Sequence, residues 1–391
     1  MNPVSNLSLS IRCDCVMQSE IRAMSAECAR TGGINLSQGV CDTPVPSPVV
    51  QGAIDAILRG RNTYTPHSGL RELREAIAVK QRRFTGMEVD PENGIIVSAG
   101  ATGAMYCAFM ALLNPGDEVI VFEPYYGYHV ATLRAVEAIP SFVPLRSPDW
   151  SFTQEMLDAA ITPRTRGILI NTPANPSGKV FSREELLLIA AFADRHDLFV
   201  FTDEMYEHFV FDGLTHCSIA TLAGMEERTV TVSGLSKTFS VTGWRIGYAM
   251  CDPKWAAAIG NFNDLVYVCA PAPLQMGVAA GLLTLDDTYY HGLSEEYESK
   301  RDLFCGALVE AGLRPCVPQG AYYVLADASE LPGNTSKEKA MHILRTAGIA
   351  SVPATAFYHG AGGEDLVRFC FAKEEHVLAE ACENLMKLRF S

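Results

Sequence analysis

Between residues 95 and 233, five short runs rich in β-branched and aromatic side chains alternate with stretches of helical pattern; the runs lie at 95–98, 118–122, 167–171, 198–202 and 228–233. Strands separated by a helix's length of chain cannot join as tight hairpins. They predict parallel strands with crossover helices, an α/β layered domain with helices on both faces of a mostly parallel sheet. Residues 103–113 read as a buried helix, and 182–196 as a helix with Ser182 at its N-cap and Glu184 and Glu185 in its first turn. Beyond about residue 275 the rhythm fades. Residues 294–312 and 373–388 look helical, while 321–326 and 366–371 look like strands, as in a smaller α+β domain. The proline cluster at 43–48 reads as an extended connector and places a boundary near it. The expected division is a large domain over residues 46–275 and a small one built from 1–45 and 276–391.

A chain of 391 residues, 48% hydrophobic and 19% charged, is long enough for two packed cores. Its formal charge of −14, with the basic residues scattered, offers no one-sided positive field for a nucleic acid or an anionic membrane. No apolar run approaches the roughly 20 residues of a membrane span, and the amino terminus lacks a basic segment followed by an apolar core. Of the twelve cysteines, Cys28, Cys107, Cys269 and Cys370 lie in apolar stretches where a thiol acts as a small hydrophobe. No Cys-x-x-Cys pair occurs, and Cys13 and Cys15 lack partners at a zinc spacing. Neither disulfides nor a metal is expected, and a reducing, cytoplasmic location is.

In an open α/β sheet, ligands bind outside the carboxyl ends of the strands. The first run is followed by Gly100-Ala101-Thr102-Gly103, a small-residue turn opening a helix, whose amino end and threonine hydroxyl suit a phosphate. The second leads to Tyr125 and Tyr126, able to cover a flat heterocycle. The third leads to Asn171-Thr-Pro-Ala-Asn175-Pro-Ser-Gly178, the fourth to Asp203-Glu-Met-Tyr206, and the fifth to Ser233-Gly-Leu-Ser236-Lys237 and on to Arg245. Singly, each has an ordinary reading: a glycine turn, a core ring, an Asn-Pro turn, a capping aspartate, a solvated lysine. Together they supply what pyridoxal phosphate needs. Lys237 is the amine for its aldehyde, and its neighbours favour the neutral, nucleophilic form. Asp203 would keep the pyridine nitrogen protonated, and Asn175 and Tyr206 would donate to the phenolic oxygen. Gly100, Ala101, Thr102 and Arg245 would hold the phosphate.

The chain resembles the class I/II aminotransferases of fold type I. The resemblance rests on four motifs in family order: Tyr64-Thr-Pro-His-Ser-Gly-Leu-Arg-Glu-Leu-Arg74, Asn171 to Gly178, Thr202-Asp-Glu-Met-Tyr206, and Ser236-Lys-Thr-Phe-Ser-Val-Thr-Gly-Trp-Arg-Ile-Gly247. It implies further roles. A glycine in a segment similar to Asn35-Leu-Ser-Gln-Gly39 touches the substrate carboxylate, and the arginine of Val367-Arg368-Phe-Cys-Phe371 binds it. Tyr64 reaches the cofactor phosphate of a neighbouring subunit, so a homodimer with shared sites is implied. Where the family commonly carries a phosphate-binding serine, this chain has Gly234, with Ser233 and Ser236 as alternatives. Tyr126 aligns with the ring cover, and Tyr125 is its rival.

The implied reaction is ping-pong transfer of an amino group between an amino acid and a 2-oxo acid, with Lys237 as anchor and proton carrier. Residues 219–247, Gly320-Ala-Tyr-Tyr323 and the strand around Arg368 are similar to the kynurenine, glutamine and methionine aminotransferase branch, which favours neutral or aromatic donors. An aspartate-type enzyme would want a second cation, and the sequence does not identify one. Two other readings stand beside this: a carbon-sulfur β-lyase on the same site, and the ligand-sensing module of a transcription regulator. The residues preceding the resemblance are too few for a winged helix, which disfavours the second.

Overall fold

A computed structural model describes residues 8–14 and 19–390. Cys15 and the first seven residues, on which part of the amino-terminal reading falls, lie outside the described residues. In chain order the strands are β1 (Ile34–Asn35), β2 (Ile95–Ala99), β3 (Glu118–Glu123), β4 (Ile139–Pro144), β5 (Thr165–Asn171), β6 (Phe199–Asp203), β7 (Thr229–Gly234) and β8 (Ile246–Met250). They continue with β9 (Arg314–Cys316), β10 (Tyr323–Asp327), β11 (Ile349–Ala350), β12 (Val352–Pro353) and β13 (Leu366–Cys370).

Seven strands form the large sheet in the order β2-β8-β7-β6-β5-β3-β4. Every neighbouring pair is parallel except the two made by β8, which runs antiparallel to both β2 and β7. The strands read as continuous apolar runs because both faces are covered. Ile120, Ile168 and Val200 enter a core with Leu186, Ile189 and Phe192 of the helix Arg183–Arg195. The alternate residues Val119, Val121, Leu169 and Phe201 face Ala104, Ala108 and Phe109 of the helix Ala101–Leu112 and Ala256 and Ile259 of Pro253–Tyr267. Three layers result, as in fold type I enzymes. The helix Arg183–Arg195 begins where expected. The Ser182 hydroxyl accepts from the Glu185 amide while the Glu185 carboxylate accepts from the Ser182 amide, which satisfies two donors that a helix start leaves open.

The second sheet, β12-β13-β10-β9, is antiparallel throughout and packs with the helices Asp287–Glu310, Ser336–Ala347 and Glu375–Leu385. Its core reaches back to the amino-terminal segment: Met24, Cys28 and Leu36 share it with Phe304, Ile343 and Phe369. A two-strand parallel ladder completes the link, pairing Ile34 with Ile349 in β1 and β11.

Two local expectations need correction. The segment 43–48 is not wholly an extended connector, because the helix Ser47–Leu58 starts inside it with Pro48 in its first turn, where a missing N–H costs nothing. The strands β4 and β8 of the large sheet, and the short β1, β9, β11 and β12, lie outside the runs that the sequence marks as strands. Cys28, Cys107 and Cys370 are buried and Cys269 is half-buried. Among the described residues no helix is long and apolar enough to cross a membrane, and no cluster of histidine, cysteine and carboxylate side chains has the makings of a metal site.

Candidate active site

The carboxyl ends of β2, β5, β6 and β7 open into one cavity of about 510 Å³, closed from the other side by Gln38, Gly39, Tyr323 and Arg368. Lys237 follows β7 and lies in this cavity with its Nζ donating to the Gly39 carbonyl at 2.8 Å. Burial holds its pKa below the usual lysine value, and the nearby guanidinium groups of Arg245 and Arg368 add to the effect against opposing contributions from Cys41 and Cys370. A lysine so placed spends more of its time neutral. Gly39 allows the approach because it has no side chain: a Cβ there would overlap the Tyr323 hydroxyl.

Asp203 ends β6 with both oxygens engaged. Its Oδ2 pairs with Nε2 of His129 at 2.8 Å, and its Oδ1 accepts from the Met205 amide at 3.1 Å. Asn171, at the end of the neighbouring β5, donates to the Asp203 carbonyl at 3.0 Å and accepts the Asn175 amide at 2.8 Å, so one side chain ties two strand ends together. Tyr206 lies 2.9 Å from Tyr323, hydroxyl to hydroxyl. Burial pushes the Tyr206 hydroxyl well above the ordinary tyrosine pKa, with the Tyr323 hydroxyl reinforcing it, so Tyr206 keeps its proton and remains a donor.

Arg368 stands on β13 and is 1% exposed. It donates through Nη1 to Oδ1 of Asn175 at 3.0 Å and through Nη2 to the Ser37 carbonyl, while its Nε has no partner. The Tyr323 and Phe357 rings flank the guanidinium at 4.5 and 5.0 Å. No carboxylate among the described residues pairs with it. A buried guanidinium with a spare donor in a cavity is a site for an anion.

At the far end, Gly100 caps the helix Ala101–Leu112 with φ +82°, a conformation that favours glycine. A side chain there would also run into the guanidinium of Arg245, which is itself held in the left-handed region at φ 56° with Nη1 on the Thr242 carbonyl at 3.0 Å. Ala101, Thr102 and Ser236 line the same end. Of the two serines, Ser233 donates to Glu207 at 2.7 Å, while Ser236 lines the cavity. Tyr126 likewise lines the cavity, its ring edge-on to His129 at 5.2 Å, whereas Tyr125 turns away to donate to the Tyr358 carbonyl at 2.9 Å. Tyr64 is outside the cavity and 83% exposed.

Sequence reasoning missed His129, Asn171 as a tie, Tyr323 as a partner of Tyr206, and Arg22, which also lines the cavity. His129 had a signal, since it falls two residues into the helix Gly127–Ala135 that follows the expected ring cover. A layer below the cavity, Lys80 and Glu207 form a buried ion pair, and Lys80 also donates to Tyr248 at 3.2 Å. This layer supports the loop that carries Asp203 and Tyr206.

A profile described as aminotransferase class I and II matches residues 31–385. The kynurenine–oxoglutarate transaminase of Dictyostelium discoideum is 34% identical over 394 residues, covering 91% of each chain. The solved structure of N-succinyldiaminopimelate aminotransferase from Mycobacterium tuberculosis superposes with a TM-score of 0.94 at 36% identity, covering 98% of this chain and 100% of that one. A methionine aminotransferase structure from Escherichia coli gives 0.93 at 32% identity, with 97% and 99% covered.

Proposed function

The chain belongs to the aminotransferase class I and II family and is an aminotransferase of fold type I, and on that footing we propose that it is a cytoplasmic, homodimeric, pyridoxal-phosphate-dependent enzyme taking neutral or aromatic amino donors. The observation that carries the cofactor reading is the coincidence, in one cavity, of a buried lysine with lowered pKa, a carboxylate fixed from two sides, and a helix amino end backed by Arg245. These residues fit the group. Gly100, Ala101, Thr102, Ser236 and Arg245 would hold its phosphate, Tyr126 its ring face, Asp203 its pyridine nitrogen, and Asn175 and Tyr206 its phenolic oxygen, with Tyr64 supplied by a second subunit.

Pyridoxal phosphate, when bound, supplies an aldehyde carbon that condenses with amines and a ring that draws electrons from the substrate's α-carbon. The chain's residues do the rest. Arg368, with Gly39 beside it, binds the substrate carboxylate and so fixes the α-carbon over Lys237. Lys237 Nζ takes the α-proton, a step that burial assists by favouring its neutral form, and later returns a proton. Asp203, oriented by His129, places its carboxylate where a protonated ring nitrogen would need it. Tyr206 and the amide of Asn175 donate from fixed positions.

Donor preference follows from the remaining wall, where Ile21, Val40, Tyr128 and Tyr323 present aromatic and apolar surface. Kynurenine and methionine are the substrates named for two similar proteins, in keeping with that wall. The dimer reading is supported by the solvent exposure of Tyr64 and by apolar side chains left open on the helix Ser47–Leu58, namely Val50, Ile54, Ile57 and Leu58. The test is to scan the purified protein's absorbance, add single amino acids, and follow loss of the aldehyde-form band with release of the matching oxo acid. A protein that takes up no cofactor on reconstitution would overturn the proposal.

A further inference from the structure

Tyr206 must meet two demands with a single proton. On the reading given under Proposed function its hydroxyl donates to the phenolic oxygen of the cofactor, and a phenol carries one O–H. The same hydroxyl lies 2.9 Å from that of Tyr323, in a pair where either oxygen can be the donor. Were Tyr206 to give its proton to Tyr323, none would be left for the cavity. The two demands agree only when Tyr323 donates and Tyr206 accepts.

The setting of Tyr323 suits it to that task. It opens β10 and is 2% exposed. Among the described residues, Tyr206 is the one hydrogen-bond partner of its hydroxyl, and a buried O–H left unpaired would be costly. Burial pushes both hydroxyls well above the ordinary tyrosine pKa, so both protons stay in place. The ring is held as well. One face lies 4.5 Å from the guanidinium of Arg368, which pairs across the ladder with Leu325, two residues along β10 from Tyr323. The Tyr206 ring meets it edge-on at 5.7 Å. Gly39 bounds the hydroxyl end: a Cβ there would overlap the Tyr323 oxygen and crowd the ring carbon that bears it, so the absence of a side chain is what lets this hydroxyl reach Tyr206.

We propose that Tyr323 is a positioning residue for Tyr206. Its hydroxyl donates to the Tyr206 oxygen, which directs the Tyr206 proton into the cavity and polarises that O–H into a stronger donor. This rests on the pyridoxal phosphate reading of the same cavity. The ring of Tyr323 packs on Arg368 with or without its oxygen, so the hydroxyl alone carries this role.

The experiment compares wild type, Tyr323→Phe, Tyr206→Phe and the double variant, each reconstituted with pyridoxal phosphate and titrated with base while its absorbance is followed. The midpoint reports loss of the proton on the nitrogen that joins the cofactor to Lys237. A strong donor at the neighbouring phenolic oxygen stabilises negative charge there and lets that proton leave at lower pH. Tyr323→Phe weakens the donor, so the midpoint should rise by about 0.5 to 1 pH unit, the equivalent of one net hydrogen bond, with cofactor content and KM for the amino acid little changed. Tyr206→Phe should raise it further. Adding Tyr323→Phe to that background should move it no more, because the effect passes through Tyr206. An unmoved midpoint in Tyr323→Phe, or a shift that persists in full in the Tyr206→Phe background, overturns the assignment. Wild type that shows no bound cofactor would overturn the cofactor reading and this assignment together, so the wild-type spectrum tells the two failures apart.

Discussion

His129 Nε2 lies 2.8 Å from Asp203 Oδ2, and together with the Met205 amide it fixes the one carboxylate that lines the cavity among the described residues. His129→Phe would retain a ring of similar size and lose that bond. Activity should fall about 10- to 100-fold, the equivalent of one hydrogen bond to a charged group, with cofactor content little changed. Steady-state kinetics beside a cofactor assay checks this, and wild-type turnover in the variant would show that Asp203 needs no such support.

Lys237→Ala removes both the covalent anchor and the proton carrier. The amino-transfer rate should drop at least about 10³-fold, and borohydride should no longer fix the cofactor to the protein. Mass spectrometry after reduction distinguishes this from anchoring at another lysine. Because burial lowers the pKa of Lys237, activity should rise with pH through that lowered value, where the amine loses its proton, rather than at the ordinary lysine value.

Arg368 offers a different separation. With its guanidinium already held by Asn175 and Ser37, Arg368→Ala should raise KM for the amino acid about 10- to 100-fold, since it removes a charge-assisted contact to the substrate carboxylate. Cofactor affinity should change little. Parallel loss of both affinities would place Arg368 at the cofactor instead.

Below the site, the Lys80 and Glu207 side chains are 1% and 4% exposed. Burial would raise the Glu207 carboxyl, but Lys80 leads the neighbouring charges that hold it down at about 2. Lys80→Met should therefore strand a buried charge and cost about 3–5 kcal/mol of stability, whereas Lys80→Met with Glu207→Met should recover much of the loss. Urea unfolding of the three proteins measures it. A double variant no better than the single would show that packing, not charge, sets the cost.

His208 sets the acid limit. Burial brings its pKa down to about 3 from 6.5, with Lys80 among the cations that add to the shift and Glu207 opposing it. The unfolded chain therefore binds the proton first. The stability that His208 contributes is complete above about pH 6.5 and is lost as pH falls from there toward 3. Glu207 acts in the same direction between its ordinary 4.5 and about 2, whereas the raised pKa of His216 works oppositely, its contribution being present below the ordinary 6.5 and lost as pH rises through the raised value. His208→Phe, set between Phe84 and Tyr290, should flatten the decline in urea midpoint between pH 6.5 and 4.5. An undiminished slope would point to other groups.

The parts of this fold that could be read in advance are those whose burial is two-sided. β3, β5 and β6 present unbroken apolar runs because helices cover both faces, and the polar residues just past their ends then stand out. β4 was hidden by Pro140 and Pro144, residues that a ladder tolerates at an edge, which is where β4 lies. β8 was hidden by its neighbourhood: it begins directly after Arg245, so its residues read as the tail of the lysine motif rather than as a strand that reverses direction. His129 and Arg22 escaped for another reason. Their place at the cavity is a matter of what folding brings together in space, for His129 a carboxylate 74 residues away.

The amino-terminal segment supplies the Ser37 and Gly39 carbonyls, whose partners Arg368 and Lys237 lie 331 and 198 residues further along the chain. The cavity thus joins segments that lie far apart in the sequence. While the large sheet can form during synthesis, the substrate pocket must wait until β13 has emerged. A product that stops short of β13 would lack Arg368 at the cavity, which ties the substrate pocket to the emergence of that strand.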